Sequence, residues 1–92
     1  METFDVKQIE ENLKNLNNWA LVNDALEKSF TFKNFKDALV FINHVGQLAE
    51  EADHHPEINN VYNRVRLRLN THSANGITKK DFDLAQKINL LI

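Results

Sequence analysis

The side chains of this 92-residue sequence best suited to proton chemistry are the histidines His54, His55 and His72, with Glu50 and Asp81 at spacings that can support them. Histidine suits proton transfer at neutral pH because its unperturbed pKa is about 6.5. His54 and His55 are adjacent and precede Pro56. Proline disfavours the helical region for the residue before it, so His55 is expected to be extended or in a turn. Neighbouring side chains on extended backbone point to opposite sides. The two imidazoles therefore cannot easily chelate one ion but can touch two sides of a flat ligand. Glu50 stands one helical turn before His54 and is expected on the same face, near enough to orient or charge-stabilise an imidazole. His72 is expected at the end of a later strand, where it could complete the group. His44 falls in mid-helix, off the apolar stripe, and reads as a surface histidine. Taken alone, the cluster fits structural roles such as helix capping ahead of proton transfer or metal binding.

Three helices and four strands must position these groups. Asp5 followed by Val6, Ile9, Leu13 and Leu16 predicts a capped amphipathic helix over 6–16. The β-prone run 19–22, the turn formers Asn23-Asp24 and the run 26–32 predict a hairpin in which Leu26, Lys28, Phe30 and Phe32 share one face. A lysine on that face is either at its margin or a sign that the register is off by one. Phe35, Ala38, Leu39, Ile42, Val45, Ala49 and Ala52 recur at steps of three and four and predict a long helix over 34–53 with one buried stripe. Ile58 to Tyr62 predicts a short strand, with Tyr62 packing in the sheet. Val65, Leu67 and Leu69 alternate with Arg64, Arg66 and Arg68 in a half-buried strand. The arginine row reads as a solvated sheet face ahead of a phosphate-binding role, and arginines can also pair across a subunit interface. Asn75-Gly76 forms a loop. Thr78 and Asp81 then form a capping box that opens a last helix over 79–91, with Phe82, Ala85, Ile88, Asn89 and Ile92 on its stripe. The order helix-strand-strand-helix-strand-strand-helix predicts an α+β fold: a four-stranded antiparallel sheet with three helices on one face, in one domain over 1–92. The bare face and free edges of such a sheet predict a homodimer or homotetramer.

The apolar fraction is 42% and the charged fraction 26%, with two glycines and one proline, so a folded chain is expected rather than a disordered one. A net charge of −2 gives bulk electrostatics no means of holding nucleic acid. With no cysteine, disulfides and thiolate metal sites are excluded, and any metal would need histidine and carboxylate ligands. No apolar run reaches the roughly 20 residues of a membrane span, and the first residues lack a signal-peptide pattern, so a cytoplasmic setting is expected.

The spacing of Glu50, His54-His55-Pro56, Tyr62, His72 and Asp81 resembles the signature of the pterin-4a-carbinolamine dehydratase family. Further matching segments are Asn60-Val61-Tyr62-Asn63, Leu69-Asn70-Thr71-His72 and Asp83-Leu84-Ala85, and the predicted element order suits that family over essentially the whole chain. The resemblance implies dehydration of 4a-hydroxytetrahydropterin to quinonoid dihydropterin, with no metal and no organic cofactor. It implies His54, His55 and His72 as the acid/base group, Glu50 and Asp81 as supporting carboxylates, and a pterin seated against His54, His55, Pro56, Ile58 and His72. Asp81 has a structural alternative as the capping partner of Thr78. The position of Ile58 is often tryptophan in animal members; isoleucine keeps an apolar wall and loses ring stacking.

Two other classes compete. Some animal members of that family also act as dimerisation cofactors of a homeodomain transcription factor, a role that needs an exposed apolar helical patch. Phe41, His44 and Leu48 are the residues to inspect for it. A metal site at His54, His55, His72 and Glu50 ranks last, because adjacent histidines on extended backbone rarely bind one ion.

Overall fold

The computed structural model describes residues 2–92. Its elements are helix α1 (Val6–Leu13), strands β1 (Ala20–Val22) and β2 (Ala25–Thr31), helix α2 (Phe35–Ala52), strands β3 (Glu57–Val61) and β4 (Arg64–Leu69), a 3₁₀ turn at His72–Ala74 and helix α3 (Lys79–Asn89). All strand pairs are antiparallel, in the order β1-β2-β4-β3. The fold is the expected α+β arrangement.

The hairpin joining β1 to β2 turns on Asn23 and Asp24, with φ of 47° and 66°. Two consecutive positive φ values are what a two-residue turn matching the strand twist needs, and Asn and Asp tolerate them. In β4, Val65, Leu67 and Leu69 are buried with Leu26 and Phe30 of β2, while Arg64 and Arg66 face out. The predicted register therefore holds, with Lys28 at the margin of the inner face. Its ammonium donates to the Asn17 carbonyl at 3.2 Å and Asn89 Oδ1 at 2.8 Å, and stands 4.8 Å from the Phe30 ring centroid. Burial lowers the Lys28 pKa below the usual lysine value.

Several expectations are corrected. Helix α1 ends at Leu13, and the chain reaches buried Leu16 through turns rather than helix. The buried stripe of α2 is Ala38, Phe41, Val45 and Ala49, leaving Phe35 and Leu39 exposed. The rings of Phe30 and Phe32 hold Phe41 between them at centroid distances of 4.7 and 4.9 Å, and burying that aromatic surface sets the rotation of the helix. Tyr62 lies beyond β3, exposed and with φ of 50°, in the turn to β4 rather than packed in the sheet. Helix α3 ends at Asn89, which leaves Ile92 exposed. No helix of the described residues is long and apolar enough to cross a membrane.

Candidate functional site

Helix α2 ends on Asp53 in the left-handed conformation, φ 49° and ψ 45°. The His54 N–H returns to the Ala49 carbonyl at 3.0 Å, a bond that closes the helix as a Schellman motif does. The helix is thus stopped at Asp53, three residues before the proline. This reversal sends the next two side chains apart. His54 is buried and its Nε2 lies 2.6 Å from Asp81 Oδ1. His55 is exposed and its Nε2 lies 2.5 Å from Glu50 Oε2. The opposite orientation of the two imidazoles follows the expectation. The partner of Glu50 does not: the carboxylate pairs with His55 and not with His54, because the reversal at Asp53 takes His54 off the helix face that Glu50 occupies.

Asp81 sits at the third position of α3 and joins the helix cap to the histidine. Its Oδ2 accepts from the Thr78 N–H at 2.9 Å and from the Thr71 hydroxyl at 2.8 Å, and Thr71 Oγ1 stands 2.8 Å from Thr78 Oγ1. Asp81 therefore takes part in the cap of α3 through Oδ2 and contacts His54 through Oδ1. The carboxylate accepts at every contact, so His54 Nε2 is the donor of its pair, which fixes that tautomer. No described buried side-chain polar atom lacks a partner.

His72 opens the 3₁₀ turn rather than ending β4, and it is exposed. It faces two adjoining depressions. One, of about 250 Å³, is lined by His54, His55 and His72 with Asn70, Thr71 and Lys80 among its other walls. The other, of about 240 Å³, is lined by His55 and His72 with Asn23, Glu57, Arg68 and Asn70. The structure thus brings His54, His55 and His72 to one concavity, with Asp81 behind the first and Glu50 beside the second. Pro56 and Ile58 line neither depression; Ile58 stands on edge strand β3 opposite Leu67. His44 is exposed on α2, as expected. Among the described residues, no three His, Asp or Glu side chains stand close enough to hold one metal ion.

Sequence reasoning gave no role to Thr71 or Asn70. Thr71 connects Asp81 to Thr78, and Asn70 Nδ2 donates to the Asp24 carbonyl at 2.7 Å, tying the first hairpin to the end of β4. The signal available was their place directly before His72, where a strand ends and side chains reach a pocket rim.

The sequence profile described as Pterin 4 alpha carbinolamine dehydratase matches residues 2–91. A relative in Acidobacterium capsulatum, provisionally named pterin-4-alpha-carbinolamine dehydratase, is 48% identical over 92 residues, covering 100% of both chains. One in Thermomicrobium roseum with the same provisional name is 47% identical over 88 residues, covering 96% of this chain and 95% of its own. The crystal structure of a transcriptional coactivator/pterin dehydratase from Brucella melitensis superposes with a TM-score of 0.94 at 39% identity, covering 98% of each chain. With this profile, these relatives and this fold, the chain belongs to the pterin 4 alpha carbinolamine dehydratase family, named for a hydro-lyase reaction.

Proposed function

We propose that the protein dehydrates 4a-hydroxytetrahydropterin to quinonoid dihydropterin by general acid/base catalysis, the step that recycles tetrahydrobiopterin after hydroxylation reactions. The observation that carries this reading is the shared concavity: three imidazoles line one depression of about 250 Å³, and two of them have their own carboxylates. In the reaction a proton goes to the 4a-hydroxyl, the C4a–O bond breaks to release water, and N5 loses its proton as the C4a=N5 bond forms. Both proton transfers suit histidines at different edges of a planar ring. His55 and His72 are open to solvent, while His54 is buried and held by Asp81 at the wall of the same depression. Pro56 and Ile58 serve by setting the backbone that carries His55. No metal or organic cofactor enters the scheme.

The edges of β1 and β3 and the exposed Phe35, Leu39 and Val40 of α2 support assembly as a homodimer or homotetramer; a cytoplasmic setting belongs to the same proposal. Sedimentation analysis reads the assembly state directly.

One observation favours a second reading, a dimerisation cofactor of a transcription regulator: the Brucella structure is described as both coactivator and dehydratase. The surface for such a role differs from the one expected, since Phe41 is buried and Leu48 half-buried. The test that separates the two is stopped-flow decay of chemically generated 4a-hydroxytetrahydropterin. Acceleration by the wild type over buffer establishes the dehydratase; a trace equal to buffer puts the interaction reading first.

A further inference from the structure

The outward face of β4 carries three arginines in a row, and the strand register gives each a different pair of neighbours. Arg68 stands between Glu27 of β2 and Glu57 of β3. Its guanidinium is 2.6 Å from Glu27 Oε1 and 3.7 Å from Glu57 Oε2, and Nη2 donates to the Asn23 carbonyl at 3.1 Å. That is a neutralised arginine. Two residues back, Arg66 stands between Ser29 and Asn59, and beyond it Arg64 stands between Thr31 and Val61. Neither guanidinium has an ion-pair or hydrogen-bond partner among the described residues.

A depression of about 280 Å³ lies over these two rows, and no carboxylate lines it. Its polar walls are the two guanidiniums, the Ser29 and Thr31 hydroxyls and the Asn59 amide, every one able to donate a hydrogen bond. Residues two apart on a strand are separated by about 6.7 Å, so both long arginine side chains can reach a single group between them. A planar guanidinium fork matches the paired oxygens of a phosphoryl group. The chain has an overall charge of −2, so this patch is a local feature and not the expression of a basic protein.

We infer that this face is a binding site for a small phosphate monoester, held by Arg64 and Arg66 with Ser29, Thr31 and Asn59. A monoester dianion offers only acceptors, the complement of a wall of donors, and a concavity of this size suits one phosphoryl group rather than an extended polyanion. The site shares no lining residue with the depressions at the histidines, and its test does not depend on dehydratase activity.

The test is an amide chemical-shift titration with phenyl phosphate at ionic strength held constant with sodium chloride. Saturable shifts are expected at Ser29, Asn59 and Arg66. The apparent Kd is expected to rise by about tenfold or more in Arg64→Ala and in Arg66→Ala, since each loses charge-assisted hydrogen bonds. Lys79→Ala, which removes one exposed positive charge elsewhere, is expected to change it less than about twofold, because separated surface charges are screened. Linear shifts that never saturate, or equal losses in Lys79→Ala and Arg66→Ala, would overturn the site. So would tight binding of a short single-stranded oligonucleotide without binding of the monoester.

Discussion

His54 and His55 are consecutive in the chain, and each has a carboxylate within 2.6 Å, yet the two pairs live in opposite surroundings. The side chains of His54 and Asp81 are 9% and 0% exposed; those of His55 and Glu50 are 59% and 77% exposed. Away from water a hydrogen-bonded pair interacts strongly and its loss strands polar groups, whereas water screens an exposed pair to a small net effect. The first pair is part of the fold, joined through Asp81 to the cap of α3 and to Thr71. The second is a local contact that can open and close without disturbing the core. One reversal of the backbone, at Asp53, creates this division of labour.

The largest effect expected from breaking that contrast is on stability. Asp81→Ala leaves His54 Nε2, the Thr71 hydroxyl and the Thr78 N–H without their acceptor, at a cost of about 3 kcal/mol or more. At about 4–8 °C per kcal/mol for a domain of this size, the thermal midpoint should fall by roughly 12 °C or more. Glu50→Ala should cost less than about 1 kcal/mol. Equal losses for the two variants in calorimetry would remove the contrast.

The catalytic side should run the other way. His55→Ala is expected to slow dehydration about a hundredfold while leaving the melting temperature nearly unchanged, because an exposed general acid/base contributes to rate and not to packing. Parallel measurement of turnover and melting reads both, and a variant that loses stability in proportion to rate would make His55 structural.

A smaller effect sharpens the buried side. Thr71→Val should cost about 1–2 kcal/mol in denaturant unfolding, since it removes one donor to Asp81 and the link to Thr78. Thr71→Ser should restore most of that loss, and a serine variant as weak as the valine one would show that packing, not the hydroxyl, matters.

The smallest concerns Lys28, a partly buried cation held by neutral oxygens. Burial lowers its folded-state pKa, so at alkaline pH the unfolded chain binds more protons than the folded one, and stability attributable to Lys28 rises as pH climbs towards the usual lysine value of about 10.4. The difference in denaturant midpoint between wild type and Lys28→Met should therefore drift in favour of the wild type over that range. A flat difference would show the ammonium to be fully solvated.

Much of the frame was readable from local rules. The Asn23-Asp24 turn, the alternation of Val65, Leu67 and Leu69, and the Thr78/Asp81 box each depend on chemistry within a few residues. The misses involve either partners far apart in sequence or a local break in regular backbone geometry. The rotation of α2 is set by Phe30 and Phe32, which take Phe41 rather than Phe35 or Leu39 into the core. The pairing of Glu50 with His55 depends on Asp53 leaving the helix in a left-handed conformation, which helical spacing cannot foresee. The split of the arginine row into one neutralised and two unpartnered members follows from what β2 and β3 place on either side of β4.

The central claim is that the histidine concavity performs the dehydration, and it is tested most directly by single-turnover decay of 4a-hydroxytetrahydropterin with His54→Ala, His55→Ala and His72→Ala, each shown to be folded. The account predicts wild-type acceleration over buffer and a loss of about a hundredfold or more in His55→Ala and His72→Ala. Decay at the wild-type rate in all three variants would contradict it.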